Sequence, residues 1–363
     1  MSRRVADALV AGIADGWADP TRLSTESRRS RALLEGSRDA IADAIGTRPE
    51  LLHFVPSPHL AFERIVAGMV AARRGSDRIV VGATERDAVI DAVHALVGEA
   101  IDTIPVDSDG HLDADALAAA LATPGVALAA IQHANQEIGT VQRLDQLADI
   151  AGAAGVPLLV DATASIGHID PPARWDALVG HAADWGGPAG IAFIATTPRT
   201  RWLPTWAGRD GFAPGGVNVA VALAAAVALQ EREEQRAETD ARLRRLIDIV
   251  RAEVSALDGI DLVGDPHERL PHVLTFSCLF ADGEALVSEL DRAGFAIGSG
   301  SACATGTLEP SRVLAAVGAL THGNVRLSLS PMVTEDDVTA FLTELPLALE
   351  RIRARLGAPP ATS

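Results

Sequence analysis

Apolar residues recur along the chain with two spacings that alternate over most of its length. Residues 5–15 and 27–46 carry apolar side chains three or four positions apart, which predicts helices with one packed face. Between such stretches lie short apolar runs, of which 78–82, 126–132 and 156–160 predict buried strands. Strands that alternate with helices indicate an α/β fold whose mainly parallel sheet is covered by helices on both faces.

The pattern changes in the last third of the chain. A long helical stretch, 217–254, carries a run of charged residues on what we expect to be a solvated helix face. Shorter helical and strand patterns follow it, as in a smaller α+β domain. We therefore predict a large domain over 16–238 and a small domain formed by 1–15 and 239–363.

Composition and charge argue against several classes of function. The formal net charge of −17 disfavours nonspecific nucleic-acid binding, which needs a basic surface, and it favours solubility or a basic protein partner. No stretch reaches the roughly 18 uninterrupted apolar residues of a membrane span, and the start of the chain does not resemble a secretory signal. Two cysteines far apart, Cys278 and Cys303, argue against a disulfide framework and fit a cytoplasmic protein.

One count restricts the chemistry directly. All 31 basic residues of the chain are arginine, so the sequence contains no lysine, and it contains no tyrosine either. A Schiff base with an aldehyde cofactor needs a primary amine that can lose its proton. Lysine supplies one, whereas the guanidinium group of arginine stays protonated. No internal aldimine can therefore form on a side chain of this protein.

Polar residues follow two of the predicted strands. Asp161 comes directly after the strand at 156–160, and His133 begins the loop that follows the strand at 126–132. Ligands of parallel sheets bind at the carboxyl ends of the strands, so we expect Asp161 and His133 to line a pocket there. An aspartate after a strand is also typical of a helix cap, and this alternative stays open.

No group of residues has the sequence spacing of a metal site. His168 lies near Asp170, and His181 lies near Asp184, but in a chain with ten histidines such short-range pairs arise by chance. Structural and catalytic metal sites need three or four ligands with recognisable spacing. We therefore predict that the protein holds no metal.

Four segments carry a resemblance to a known family. Residues 134–142, ANQEIGTVQ, and 159–163, LVDAT, are similar to the stretches "NNEIG…Q" and "HVDATQ" of cysteine desulfurases. Residues 298–311, GSGSACATGTLEPS, resemble the family's "SSGSACTSxSLEPS" loop, and 324–330, NVRLSLS, resemble its "SIRFSLG". The similarity extends over nearly the whole chain. On this basis the chain is identified as a member of the cysteine desulfurases, pyridoxal-phosphate enzymes of fold type I related to class-V aminotransferases.

The resemblance implies a fold, an assembly and several site residues. We expect a fold-type-I aminotransferase-like fold with a large domain, a smaller C-terminal domain and a homodimeric assembly. Asp161 is expected to hold the pyridine nitrogen of the cofactor, and Arg326 the carboxylate of the substrate. Cys303 is expected to take sulfur from the substrate as a persulfide. A structural ion pair of Arg326 and a relic Cys303 without a role stay open as alternatives. Cys278, in an apolar strand pattern, is expected to be a buried structural thiol.

The chain departs from the family at the lysine that binds the cofactor. The family's lysine lies just after a histidine in "SxHKxYGPKG", and the corresponding residues here are 181–190, HAADWGGPAG. Anchoring on the shared Gly-Pro and Gly residues puts Asp184 at the lysine position and Ala183 at the histidine position. Asp184 would bring a negative charge toward a negatively charged cofactor. We therefore expect no covalently held pyridoxal phosphate and regard any binding of it as doubtful.

The segment that binds the cofactor phosphate departs as well. Residues 55–61, VPSPHLA, stand where the family has "TSGATES"; their two prolines lack N–H donors, and His59 replaces a threonine. His59 could contact an anion, although a surface or capping histidine is more common. Arg86 stands where the family has a histidine, and it could stack on a ring or bind an anion. Gln136 replaces an asparagine that in the family contacts the cofactor.

Four functions are compatible with this sequence. The leading hypothesis is a pseudoenzyme that acts as a partner, scaffold or regulator in sulfur metabolism, as a homodimer or paired with an active desulfurase. The second is a sulfur carrier that passes a persulfide from Cys303 to an acceptor protein. The third is a repurposed enzyme with cofactor-independent chemistry in the vacated pocket. The fourth is a desulfurase that uses pyridoxal phosphate noncovalently.

Overall fold

The structure is a computed structural model that describes residues 1–204, 216–299 and 311–355, and it divides into two compact units. Unit 1 comprises Met1–Ile104, Ala114–His133 and Arg143–Arg236, and unit 2 comprises Pro105–Asp113, Ala134–Gln142 and Ala237–Ser363. No helix among the described residues is long and apolar enough to cross a membrane.

The sheet of unit 1 has seven strands: β1 (Leu52–Val55), β2 (Arg78–Gly82), β3 (Ile101–Ile104), β4 (Val126–Gln132), β5 (Leu158–Asp161), β6 (Ala177–His181) and β7 (Ala192–Thr196). Their order is β1-β7-β6-β5-β4-β2-β3, and only β7 runs against its neighbours, pairing antiparallel with β1 and β6. The predicted mainly parallel α/β sheet is confirmed. The edge strand β3 was not predicted, since its four residues, IDTI, mix polar and apolar positions without a buried run.

The helices that begin in unit 1 are α1 (Arg3–Asp15), α2 (Thr25–Ala44), α3 (Pro58–Ala71), α4 (Asp87–Val97), α5 (Ala114–Leu121), α6 (Leu144–Ala154) and α7 (Val219–Ser255), the last of which continues into unit 2. Helix α3 illustrates how the sequence defines a helix start. The Ser57 hydroxyl accepts the N–H of Leu60, and Pro58 occupies the first helical position, where no N–H donor is needed. Its buried side chains Phe62, Ile65 and Met69 then pack in the main core of the unit.

Unit 2 is a smaller α+β assembly. Its strands β8 (Ile260–Val263), β9 (Val273–Cys278) and β10 (Asn324–Ser328) form an antiparallel sheet of order β10-β9-β8, and its helices are α8 (Gly283–Arg292), α9 (Arg312–Ala316) and α10 (Glu335–Arg355). The core packs Phe276 of β9 and Leu286 of α8 with Phe341 and Leu345 of α10. This unit therefore buries a hydrophobic core of its own.

The division of the chain differs from the predicted domain boundaries at the N-terminus. Residues 1–15 were expected in the small domain, but α1 belongs to unit 1. A Cβ added at Gly12 of α1 would lie 2.7 Å from the Cα of Ala220 in α7, so the two backbones are in close contact. Arg4 also forms an ion pair of 2.7 Å with Glu234 of α7. Glycine contacts of this kind leave no trace in hydrophobic periodicity.

Two short segments also differ from the prediction. Residues 105–113 and 134–142 were expected in the large domain, yet both belong to unit 2. Thr140 forms a β-bridge with Arg269, and the backbone N–H of Val141 donates to the carbonyl of Glu268 at 2.8 Å. Pairings between positions more than a hundred residues apart hold these segments in unit 2, and the local pattern does not encode such pairings.

Candidate functional site

The candidate site of unit 1 lies where its parallel strands end. Asp161 is the last residue of β5, His133 follows β4, and Arg86 lies four residues after the end of β2. Parallel strands present their carboxyl ends at the same edge of a sheet, which is where such folds bind ligands. The structure brings the predicted residues Asp161 and Arg86 into direct contact and attaches His133 to Asp161 through the backbone.

Asp161 is engaged through both of its carboxylate oxygens. Oδ1 accepts the backbone N–H and the hydroxyl of Thr163, at 2.9 and 2.6 Å. Oδ2 lies 2.9 Å from Nε of Arg86, and the exposed fractions of the two side chains are 6% for Asp161 and 15% for Arg86. The predicted carboxylate is thus present, but it lies in a buried ion pair with a permanently charged guanidinium.

His133 is a buried, neutral imidazole. Its backbone N–H donates to the carbonyl of Asp161 at 2.8 Å, and its ring Nδ1 lies 2.9 Å from the hydroxyl of Ser165. That hydroxyl donates to the carbonyl of Ala162, so it accepts the Nδ1 proton of His133. Burial lowers the pKa of His133 to about 4, because charging the ring in this position is unfavourable.

A buried polar network formed by Thr84, Glu85 and Gln132 was not predicted. Oε1 of Glu85 accepts the backbone N–H of Gln132 at 2.8 Å, and the amide of Gln132 donates to the hydroxyl of Thr84 at 2.7 Å. All three side chains are buried, and that of Glu85 is completely so. The signal in the sequence was a Thr-Glu pair just after a buried strand, a place where polar groups rarely occur without a partner.

Asp184 lies in a 3-10 turn after β6, at Ala182–Trp185. Its Oδ2 is 2.9 Å from Nδ1 of His181, and 37% of its side chain is exposed. The short-range pair His181–Asp184 is therefore real, as a surface interaction. The alignment of Asp184 with the family's lysine stays a prediction.

The pair of buried residues His168 and Arg232, which was not predicted, lies beside Asp184, and His168 contacts its backbone. Nε2 of His168 lies 2.8 Å from the carbonyl of Asp184, which can only accept, so this nitrogen carries the proton. Nδ1 then accepts from Arg232 at 3.0 Å. Burial first, and the charge of Arg232 second, lower the pKa of His168 to about 4. Asp170, the neighbour noted in the sequence, pairs instead with Arg236 at 2.6 Å.

Residues 55–61, predicted to stand where the family binds the cofactor phosphate, form the end of β1 and the start of α3. Ser57 uses its hydroxyl to cap the helix, and Pro58 has no N–H to offer an anion. His59 is exposed at the second helical position. At this helix end the hydroxyl of Ser57 is therefore occupied as a helix cap, and Pro58 offers no N–H group to a phosphate.

The remaining predicted residues belong to unit 2 or lie outside the described residues. Gln136 is exposed, and Arg326 is a half-buried residue of β10 whose backbone pairs with Gly298 at 2.8 and 2.9 Å. A Cβ on Gly298 would lie 3.2 Å from the Arg326 guanidinium, so the glycine leaves room for that group. Cys303 lies outside the described residues. The roles of Gln136, Arg326 and Cys303 stay predictions.

Unit 2 also contains a histidine–carboxylate cluster that sequence spacing did not indicate. Nε2 of His111 lies 2.8 Å from Asp265 and 3.6 Å from Glu268. Burial alone would raise the pKa of Asp265, but hydrogen bonds from His111 and from the backbone N–H groups of His267 and Glu268 outweigh it and lower the pKa to about 2. These bonds account for the cluster as a structural link between two loops.

Comparison with known proteins agrees with the fold and with the sequence motifs. The family model of class-V aminotransferases matches residues 2–201 and 209–341. The chain is 34% identical to an IscS-like cysteine desulfurase of Mycobacterium tuberculosis, over 94% of this chain and 92% of that protein. It is 31% identical to a cysteine desulfurase of Cereibacter sphaeroides, over 96% and 92% of the two chains.

Solved structures show the same fold. A NifS-like protein from Rickettsia africae superposes with a TM-score of 0.86 at 20% identity, covering 98% of this chain and 96% of that one. At 20% identity this likeness concerns the fold alone. The family model and the two cysteine desulfurases named above concern the family. The family model and the sequence relatives give the assignment: this chain is a member of the class-V aminotransferase family and, within it, of the cysteine desulfurases.

Proposed function

We propose that this protein is a pseudoenzyme of the cysteine desulfurase family that acts in sulfur metabolism as a partner, scaffold or regulator. Its relatives are named for the release of sulfur from cysteine. In that family pyridoxal phosphate forms a Schiff base with a lysine, and the 363 residues of this chain contain none. The family fold without the family's covalent chemistry suits a protein that binds desulfurase partners.

The observation that carries the proposal is the state of Asp161. A pyridinium nitrogen needs a carboxylate that is free to hold its proton. Here Oδ1 is bound twice by Thr163, and Oδ2 faces the guanidinium of Arg86 at 2.9 Å. A second cation at Oδ2 would be repelled by Arg86 across a site that excludes most water. The residues present therefore do not fit pyridoxal phosphate, and we derive no chemical step through it.

The test of the missing cofactor is a titration of the purified protein with pyridoxal phosphate, followed by borohydride reduction, peptide mass mapping and a sulfide assay with L-cysteine. We expect no reduced adduct on any side chain and no sulfide. The α-amino group is the remaining primary amine of the chain, so an adduct on the first peptide is the internal control for nonspecific labelling. Saturable binding with sulfide release would contradict the proposal and support a noncovalent desulfurase.

The test of the partner role adds the protein to an active desulfurase of the family and measures sulfide release and complex formation by analytical ultracentrifugation. A regulator or scaffold changes the rate or the assembly state of the active enzyme, and it does so equally well as the Cys303→Ala variant. No complex and no change in rate over a wide range of ratios would exclude this role.

The cysteine motif favours one second candidate, a sulfur carrier. Residues 298–311 keep the GSGSAC and LEPS parts of the family's loop, with Cys303 at the position of the sulfur-accepting cysteine. After incubation with an active desulfurase, a carrier holds a persulfide on Cys303 and passes it to an acceptor, and Cys303→Ala abolishes both. Cys278→Ala is the matched control, because Cys278 is buried in β9 and should not be labelled.

A further inference from the structure

Four arginines of unit 1 line a single cavity of about 610 Å³. They are Arg73 and Arg74, which follow α3, and Arg199 and Arg201, which follow β7. Asp176 is the one carboxylate in the described lining. Cavities of roughly 300–1,000 Å³ are typical of small-molecule sites, so this one has the size for a ligand of nucleotide scale.

The cavity lies apart from the candidate site described above. Pro157 and Asp176 of its lining directly precede β5 and β6, so it adjoins the amino ends of these parallel strands. Asp161 lies at the carboxyl end of β5. A strand of four residues separates the two by roughly 10 Å or more, and no residue of the ion pair Arg86–Asp161 lines the cavity.

The positive charges of the cavity are not neutralised within the described part of the chain. None of the four arginines has a carboxylate oxygen within ion-pair distance there, and the guanidinium of Arg73 donates a hydrogen bond of 3.1 Å to the carbonyl of Gly155. The carboxylate of Asp176 accepts the backbone N–H of Leu158 at 2.9 Å instead.

An adjoining cavity provides the internal comparison. It is about 780 Å³ in volume and shares Arg199, but its other arginines are paired: Arg48 with Glu50 at 3.1 Å, and Arg174 with Asp149. Acidic residues outnumber basic ones in this chain by 48 to 31. Four arginines gathered in so acidic a protein, with no acidic partner among the residues that the structure describes, indicate an anion supplied from outside.

We propose that this cavity binds a small molecule that carries a diphosphate group. The planar guanidinium fork binds phosphate oxygens through two parallel hydrogen bonds, and four such groups match the three to four negative charges of a diphosphate. Ser76 of the lining adds a hydroxyl group at the same cavity. The inference is independent of the proposed pseudoenzyme role, since it uses no residue of that site.

The experiment is isothermal titration calorimetry of the full chain with sodium pyrophosphate and with ADP, at low and moderate salt. We expect saturable binding of both. The variant Arg74→Gln/Arg201→Gln changes two exposed side chains of the cavity and should weaken binding by at least about tenfold, since each loses a charge-assisted contact. The control Arg3→Gln/Arg22→Gln removes the same charge from exposed positions elsewhere and should stay within about twofold.

Several outcomes would overturn the inference. These are no saturable binding of either probe, an equal loss in the control variant, or equally tight binding of citrate, which would indicate a carboxylate site. Tighter binding of a short DNA duplex with the same arginine dependence would indicate a nucleic-acid surface instead. Circular dichroism checks the fold of each variant, and the single variants Arg74→Gln and Arg201→Gln decide the question if the double variant unfolds.

Discussion

Asp161 carries its charge in a position that is almost closed to water, so the stability of this part of the sheet depends on what neutralises the carboxylate. In this chain the neutralising group is Arg86, assisted by two hydrogen bonds from Thr163. Removing one partner of such a buried pair leaves the other charge uncompensated, which is costlier than removing both. Single and combined substitutions of Arg86 and Asp161 therefore measure how much this ion pair stabilises the fold.

We predict that Arg86→Met lowers the free energy of unfolding by about 3 kcal/mol, because the buried carboxyl group of Asp161 loses its ion-pair partner. Arg86→Met combined with Asp161→Asn should lose clearly less than the sum of the single changes, since neither charge then remains. Urea denaturation of the four proteins measures the coupling. Strictly additive losses would show that the 2.9 Å contact has no energetic weight.

Two buried histidines of unit 1, His133 and His168, make stability depend on pH. The pKa values of His133 and His168 are both lowered to about 4 in the folded protein, against about 6.5 for an unfolded histidine. The unfolded chain therefore binds more protons between these values, and the stability contributed above pH 6.5 is lost as the pH falls toward 4. The loss amounts to about 3 kcal/mol per histidine at most.

The measurement is the free energy of unfolding of unit 1 at pH 7.5, 6 and 5, followed by tryptophan fluorescence. His168→Gln should flatten this dependence, because glutamine does not titrate. His94→Gln is the control, since His94 is an exposed histidine of α4 and its replacement should leave the slope unchanged. If the free energy of unfolding of His168→Gln depends on pH as strongly as that of the unchanged protein, protonation of His168 does not cause the loss of stability.

At the scale of elements, α1 and α7 meet through a glycine. A Cβ at Gly12 would come within 2.7 Å of the Cα of Ala220, a distance that real side chains do not reach. Gly36 in α2 is the opposite case, because a Cβ there meets nothing within 4 Å. Comparing an alanine substitution at Gly12 with one at Gly36 therefore distinguishes the effect of packing from the effect of helix propensity.

We predict that Gly12→Ala destabilises the protein by about 1–3 kcal/mol, because overpacking between α1 and α7 outweighs the gain in helix propensity. Gly36→Ala should instead stabilise it by up to about 1 kcal/mol, since alanine reduces the entropy of the unfolded chain without a steric cost. Thermal denaturation of both variants is the measurement. Equal and positive shifts would mean that the helices separate without cost.

At the scale of the whole molecule, each unit buries a core of its own, and Cys278 reports on that of unit 2. The thiol is buried in β9, and desolvation raises its pKa to about 12. A thiol becomes nucleophilic only as the thiolate, so this one is unreactive while the strand is folded.

We predict that iodoacetamide at pH 8 modifies Cys278 only when unit 2 unfolds, so its rate should rise with urea in step with the loss of secondary structure. Peptide mass mapping separates this site from Cys303. Rapid labelling of Cys278 without denaturant would show that β9 opens locally. The protein in concentrated urea supplies the reference rate.

Three properties follow from the amino-acid sequence alone: the family, the α/β class and the absence of a Schiff-base lysine. Motif strings, short apolar runs and composition are local properties, and they can be read without knowing which strands are neighbours. The same local reading singled out Asp161 and His133 at strand ends, and the resemblance to the family singled out Arg86.

The contacts that these residues make depend on the three-dimensional fold. The chain separates Arg86 from Asp161 and His168 from Arg232, and only the strand order β5-β4-β2 and the fold of α7 along unit 1 bring each pair together. The placement of α1 in unit 1 and the gathering of Arg73, Arg74, Arg199 and Arg201 have the same origin. Each depends on contacts between distant positions, whose free energy is gained only when the complete sheet has formed.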